Sequence, residues 1–131
     1  MKQLEQARVL LAKALEDERA AAALSGCEGI SHSIIGFHCQ QAAEKLLKAF
    51  LSARSVAFRH THNLSALIGG LEQSGYGFPD ELRKLEELTR FAVEFRYDLL
   101  EEHLGFDRQA ALELVRRLRG LVESEIAKAG T

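Results

Sequence analysis

Tryptophan is absent, there is one proline, and ten glycines are spread over 131 residues. A many-turned all-β fold needs frequent turn residues and β-branched or aromatic runs, so this scarcity argues against one. The two cysteines, Cys27 and Cys39, have neither CxxC spacing nor a Cys/His cluster around them, which removes support for a zinc site or a disulfide framework. Reduced thiols in a cytoplasmic protein are the expectation. No stretch of 18 apolar residues occurs, and Met1-Lys2-Gln3-Leu4-Glu5 runs straight into charged sequence, so neither membrane spanning nor secretion is expected. A one-sided charge is missing too. Lys and Arg number 17 against 19 Asp and Glu, a net charge of -2, so no global basic field draws the chain to DNA or a membrane, and any RNA contact must be local. There is no Gly-rich phosphate loop, no nucleophile elbow and no HExxH, so the sequence implies neither a cofactor nor a metal.

What is present is helical. Ala, Leu, Glu and Arg dominate, hydrophobic residues make up 47% and charged residues 27%, and the length suits one domain over residues 1–131. Leu4, Ala7, Leu11, Ala14 and Ala21 recur at helical steps and predict a first amphipathic helix that closes at Ser25-Gly26, with Gly26 left-handed. A second helix starts near Ser31 or Ser33 and runs to about Arg54. Its apolar face holds Ile35, Cys39, Ala42, Ala43, Leu46, Ala49 and Phe50, broad enough for a central place in a bundle. His38, Gln41, Lys45 and Lys48 fall on the opposite side. His62-Asn63 leads into a short third helix with Leu64, Leu67, Ile68 and Leu71. After the break at Ser74–Pro79, Asp80 is expected to cap a fourth helix reaching past Tyr97, with an apolar stripe of Leu82, Leu85, Thr89, Ala92, Leu99 and Leu100. Asp107 caps the fifth, on which Ala111, Val115, Leu118, Val122 and Ile126 recur. Short connections imply antiparallel neighbours, so the predicted fold is all-α, an up-and-down bundle of four long helices and one short one.

Arg96 and His103 land inside the fourth helix's apolar stripe. Seven residues at 100° each leave them about 20° apart in azimuth and two turns apart in height, so both can face one ligand. A guanidinium on an apolar stripe requires an anion or several acceptors. Metal-independent phosphodiester cleavage uses such a pair, His103 moving a proton at a ribose 2'-hydroxyl and Arg96 stabilising charge on the phosphate. The plain structural alternative pairs Arg96 with Asp98 or Glu44 and leaves His103 as a helix cap. His38, Gln41, Lys45 and Lys48 can offer donors to a phosphate, or form a solvated face with a Glu44 to Lys48 ion pair. Arg59-His60-Thr61-His62 stands at a helix start, where free amides favour anions, and loop decoration explains it equally.

Phe37-His38-Cys39-Gln40-Gln41-Ala42-Ala43-Glu44-Lys45-Leu46-Leu47-Lys48-Ala49, then Thr61-His62-Asn63-Leu64, then Phe95-Arg96-Tyr97-Asp98, resemble in order and spacing the HEPN family of prokaryotic helical domains. The resemblance implies a helical bundle, usually homodimeric and often encoded beside a minimal nucleotidyltransferase as a toxin-antitoxin or related two-component module. Some members are ribonucleases, in which an Arg and a His separated by four to six residues meet their copies across a dimer. Carried over, that pair is Arg96 and His103. Tyr97 stands where nuclease members usually carry a polar residue, and His103 is followed by Leu104-Gly105-Phe106 without the Tyr that partner enzymes modify in some members. The leading expectation is therefore a homodimeric, cytoplasmic HEPN subunit that pairs with a nucleotidyltransferase and binds a nucleotide or phosphate through His38, Gln41, Lys45, His62 and Tyr97. The alternative is a metal-independent endoribonuclease acting through Arg96 and His103.

Overall fold

A computed structural model describes residues 2–92 and 106–131. Among the described residues every regular element is helical, with no strand. Helix α1 spans Lys2–Ser25 and buries Leu4, Ala7, Ala14 and Ala21, while Leu11 is half-buried. Three alanines seven residues apart present one smooth edge, which lets a neighbouring backbone come close. The helix ends at Ser25 as expected, but the left-handed glycine is Gly29, at φ +81°, not Gly26.

Helix α2, His32–Ala53, is capped by Ser31, whose hydroxyl accepts from the Ile34 amide at 3.4 Å. All seven residues of its predicted apolar face are buried, and so are Gly36, Leu47, Leu51, Gln40, Glu44 and Ser52. It is central because α1 covers the side that carries His38 and Lys45. Helices α2 and α3 (Leu64–Gln73) close alike: Ser55 and Gly75 take left-handed φ of 59° and 95°, and Val56 and Tyr76 donate back to the Leu51 and Leu71 carbonyls. Asn63 caps α3, its side chain accepting from the Ala66 amide at 3.3 Å.

The fourth element departs most from expectation. Asp80–Phe91 is a 3-10 helix, Pro79 occupies the cap position without a side-chain bond, and Asp80 is the first helical residue. Its buried residues are Leu82, Leu85, Leu88 and Phe91, and Thr89 and Ala92 are only half-buried. The apolar period is strictly three. An α-helix would smear those four side chains over about 180°, whereas a 3-10 helix, with three residues per turn, stacks them in one row facing the core. The continuation of this element past Ala92 lies outside the described residues.

Helix α4, Arg108–Ala129, is capped by Asp107 and buries the five predicted residues together with Leu112. Interhelical partners fix directions. Gln6 meets Ser52 and Asp17 meets His38, so α1 and α2 are antiparallel. Arg108 donates to His32 and to the Ile30 carbonyl while Arg54 pairs with Glu125, so α4 runs parallel to α2. The short helix breaks the expected alternation: Gln40 reaches the His62 carbonyl and Arg54 reaches Ser74, so α3 lies parallel to α2. The Arg54–Asn63 connection is long enough to return along α2 before α3 starts. α1 and α4 flank one side of α2, and α3 and the 3-10 helix cover the other.

Candidate functional site

The polar side chains of α2 form one chain of partners from α1 to the α3 start. Asp17, on the inner side of α1, accepts from Lys45 and bonds His38 Nδ1 at 3.1 Å. Lys45 Nζ also reaches Gln41 Oε1 at 3.5 Å, and Gln41 Nε2 donates to Gln40 Oε1 at 2.7 Å. Gln40 is fully buried and splits its own amide between Glu44 Oε1 at 3.0 Å and the His62 carbonyl at 3.2 Å. Glu44, 5% exposed, also bonds His62 Nδ1 at 2.8 Å and pairs with Lys48 at 2.7 Å. Burial pushes the Glu44 carboxyl up, but bonds from Lys48, Gln40 and His62 and the Lys48 charge outweigh it and hold the group below its ordinary value.

His38, Gln41 and Lys45 are thus brought together by Asp17, with their donors turned into the protein. His62 joins them through Gln40 and Glu44 while its side chain stays 68% exposed. The Glu44 to Lys48 ion pair forms, though nearly buried instead of on a solvated face. Arg96, His103 and Tyr97 lie outside the described residues. Asp17 and Gln40 were missed in the sequence. Gln40 carries a signal in hindsight, a polar side chain one residue off the apolar face of the most apolar helix, whereas Asp17 looked like any acid on a charged helix.

Two concavities lie elsewhere on the described surface. One, about 580 Å³, lies where Arg59, His60 and Thr61 meet the α3 start. Three of the amides there are already taken: Asn63 N by Thr61, Leu64 N by Thr89, and Ala66 N by Asn63. A helix start so satisfied has less to offer an anion. The other, about 290 Å³, lies between the 3-10 helix and α4 and includes Lys84, Arg90, Phe91 and Phe106. Among the described residues no group of three or more His, Cys, Asp or Glu could hold a metal ion, and no helix is long and apolar enough to cross a membrane.

Compared with known families, residues 7–128 match the HEPN domain. Comparison with curated proteins and with solved structures gives no match. The domain match supports a general nucleotide- or RNA-related role. Since the match runs across nearly the whole chain, the chain belongs to the HEPN domain family.

Proposed function

We propose that this chain is a homodimeric HEPN subunit of a prokaryotic two-component, toxin-antitoxin-like module that pairs with a minimal nucleotidyltransferase and binds a nucleotide or phosphate. The observation that carries the reading is the family match over residues 7–128, which includes the whole of α2. In that helix His38 and Lys45 reach a ligand only by releasing Asp17, so the exposed ring of His62 is the place where a phosphate first meets the network. Anion binding there substitutes an outside acceptor for an internal one, which makes affinity modest and sensitive to salt. Co-purification from the native host tests the partnership. The expected result is a nucleotidyltransferase in the complex and a higher melting temperature with nucleotide; isolation alone, with no nucleotide-dependent stabilisation, overturns it. Sedimentation tests the dimer, which a concentration-independent monomer would exclude.

The second reading is metal-independent RNA cleavage, carried by the spacing of Arg96 and His103. The ribose 2'-oxygen attacks phosphorus, the bond to the 5'-oxygen breaks, and a 2',3'-cyclic phosphate and a 5'-hydroxyl remain. His103 moves the proton and Arg96 stabilises the phosphate charge. Two copies converging across a dimer would make a local positive site on a near-neutral chain. Incubation with mixed RNA in EDTA, alongside Arg96→Ala and His103→Ala, decides it. Cleavage that both variants lose, with cyclic phosphate ends, establishes the activity; no cleavage, or cleavage that the variants keep, removes it.

A further inference from the structure

The cleft between the 3-10 helix and α4 is built differently from the motif network, because among the described residues its cations, Lys84 and Arg90, form no ion pair with an acid. Arg90 is half-buried with its guanidinium 4.9 Å from the centroid of the Phe91 ring, and its Nε is buried without an acceptor among the described residues. A donor left so costs free energy unless something supplies an acceptor. Lys84 is the second cation on the rim. Leu88, Phe91 and Phe106 give the cleft an apolar, aromatic wall, with Phe106 tilted against Phe91 at 4.9 Å between ring centroids. Asp107 accepts from the Ala110 amide with one carboxylate oxygen, which leaves the other available to a base amino or imino group.

A donor fork, a second cation, an aromatic wall and two carboxylates on the lining, Glu87 and Asp107, suit a ligand in which a planar ring with N–H donors is joined to an anion. A volume of about 290 Å³ admits one such unit and not several. We propose that this cleft is a subsite for a single nucleotide, with Arg90 and Lys84 on its phosphate and its base against Phe106 and Leu88. The assignment rests on the nucleotide-related reading above and adds a place and a residue to it. A free nucleotide and one nucleotide of a single-stranded RNA present the same chemistry.

The test titrates the full chain, and the variants Arg90→Gln, Arg90→Lys and Ala110→Glu, with AMP, with inorganic phosphate and with a fluorescently labelled single-stranded RNA hexamer. Ala110 lies on the exposed rim of the cleft in the first turn of α4, where an acid is compatible with the helix, so Ala110→Glu repels a phosphate without touching Arg90. Arg90→Gln and Ala110→Glu are expected to weaken nucleotide binding by about tenfold or more, with Arg90→Lys between them and wild type and with unchanged melting temperatures. AMP binding that competes with the hexamer marks a free-nucleotide site; hexamer binding without AMP binding marks an RNA site. Wild-type affinity in both Arg90→Gln and Ala110→Glu, binding of phosphate but no nucleotide, or no binding of any probe overturns the subsite. Cleavage or partner capture that survives such a result leaves the broader reading standing, and Arg90-dependent binding without either leaves the subsite standing alone.

Discussion

Glu44 shows how far a single side chain can couple elements. It receives Lys48 and Gln40 from its own helix and His62 from the approach to α3, so removing its charge strands donors in a nearly closed space. Glu44→Gln is expected to cost about 2 to 4 kcal/mol in urea unfolding. Because the folded carboxyl is held below its ordinary value, its contribution is complete above the unfolded value of about 4.3 and fades as pH falls through the lower folded value. The difference between wild type and Glu44→Gln should therefore shrink as pH falls below the ordinary carboxyl value of about 4.3, and a difference constant with pH would contradict the linkage. The two thiols give a second contrast. Burial pushes the Cys39 thiol up to about 12, with Arg116 lowering it and Glu18 raising it slightly, while Cys27 is exposed. Since the thiolate is the nucleophile, iodoacetamide at pH 8 should alkylate Cys27 in the native protein and Cys39 only after denaturation, which peptide mass spectrometry reads directly.

At the scale of elements, the 3-10 helix depends on two tertiary contacts. A Cβ on Gly36 would stand 2.6 Å from the Phe91 ring, so glycine is required in the second turn of α2 for Phe91 to pack this closely on the helix. Gly to Ala in an exposed helix gains about 1 kcal/mol, but Gly36→Ala is expected to lose about 2 to 3 kcal/mol by overpacking. Phe91→Leu should recover part of that loss, so a double-mutant cycle in urea with no coupling would refute the contact. The second contact is the Thr89 hydroxyl, which accepts from the Leu64 amide at 3.2 Å and so caps α3 from another element. Thr89→Val keeps the shape and orphans that amide, at a cost of about 1 to 2 kcal/mol, whereas Thr89→Ser should stay near wild type in the same denaturation. Helical periodicity located α1, α2, α3 and α4 because each repeats near 3.6, while the step of three in Leu82, Leu85, Leu88 and Phe91 was absorbed into that period and misassigned Thr89 and Ala92 to the core.

Over the whole molecule, α2 is the hub against which α1, α3, the 3-10 helix and α4 all pack. Ion pairs tie the last helix to the earlier ones: Arg119 with Glu18 of α1 at 2.7 Å, and Arg54 at the end of α2 with Glu125 at 3.6 Å. Native-state hydrogen exchange is expected to be slowest in the Cys39–Leu51 stretch, at the rate of global unfolding, and faster at the start of α1; protection lower in α2 than in α1 would contradict the hub. Composition and apolar spacing determined by themselves that the chain is all-α, where four of its five elements lie and which face of each is buried, because helix propensity and burial are local or periodic properties. The motif on α2 likewise marked the family. Tertiary structure alone decided that α3 runs parallel to α2, that the His38 face is covered by α1 with Asp17 as its acceptor, and that the Arg90 Nε is buried beside the Phe91 ring without an acceptor among the described residues. Those facts depend on which side chains meet across long separations, and the distance from Asp17 to Lys45 or from Phe91 to Gly36 is set by packing and not by any pattern within one helix.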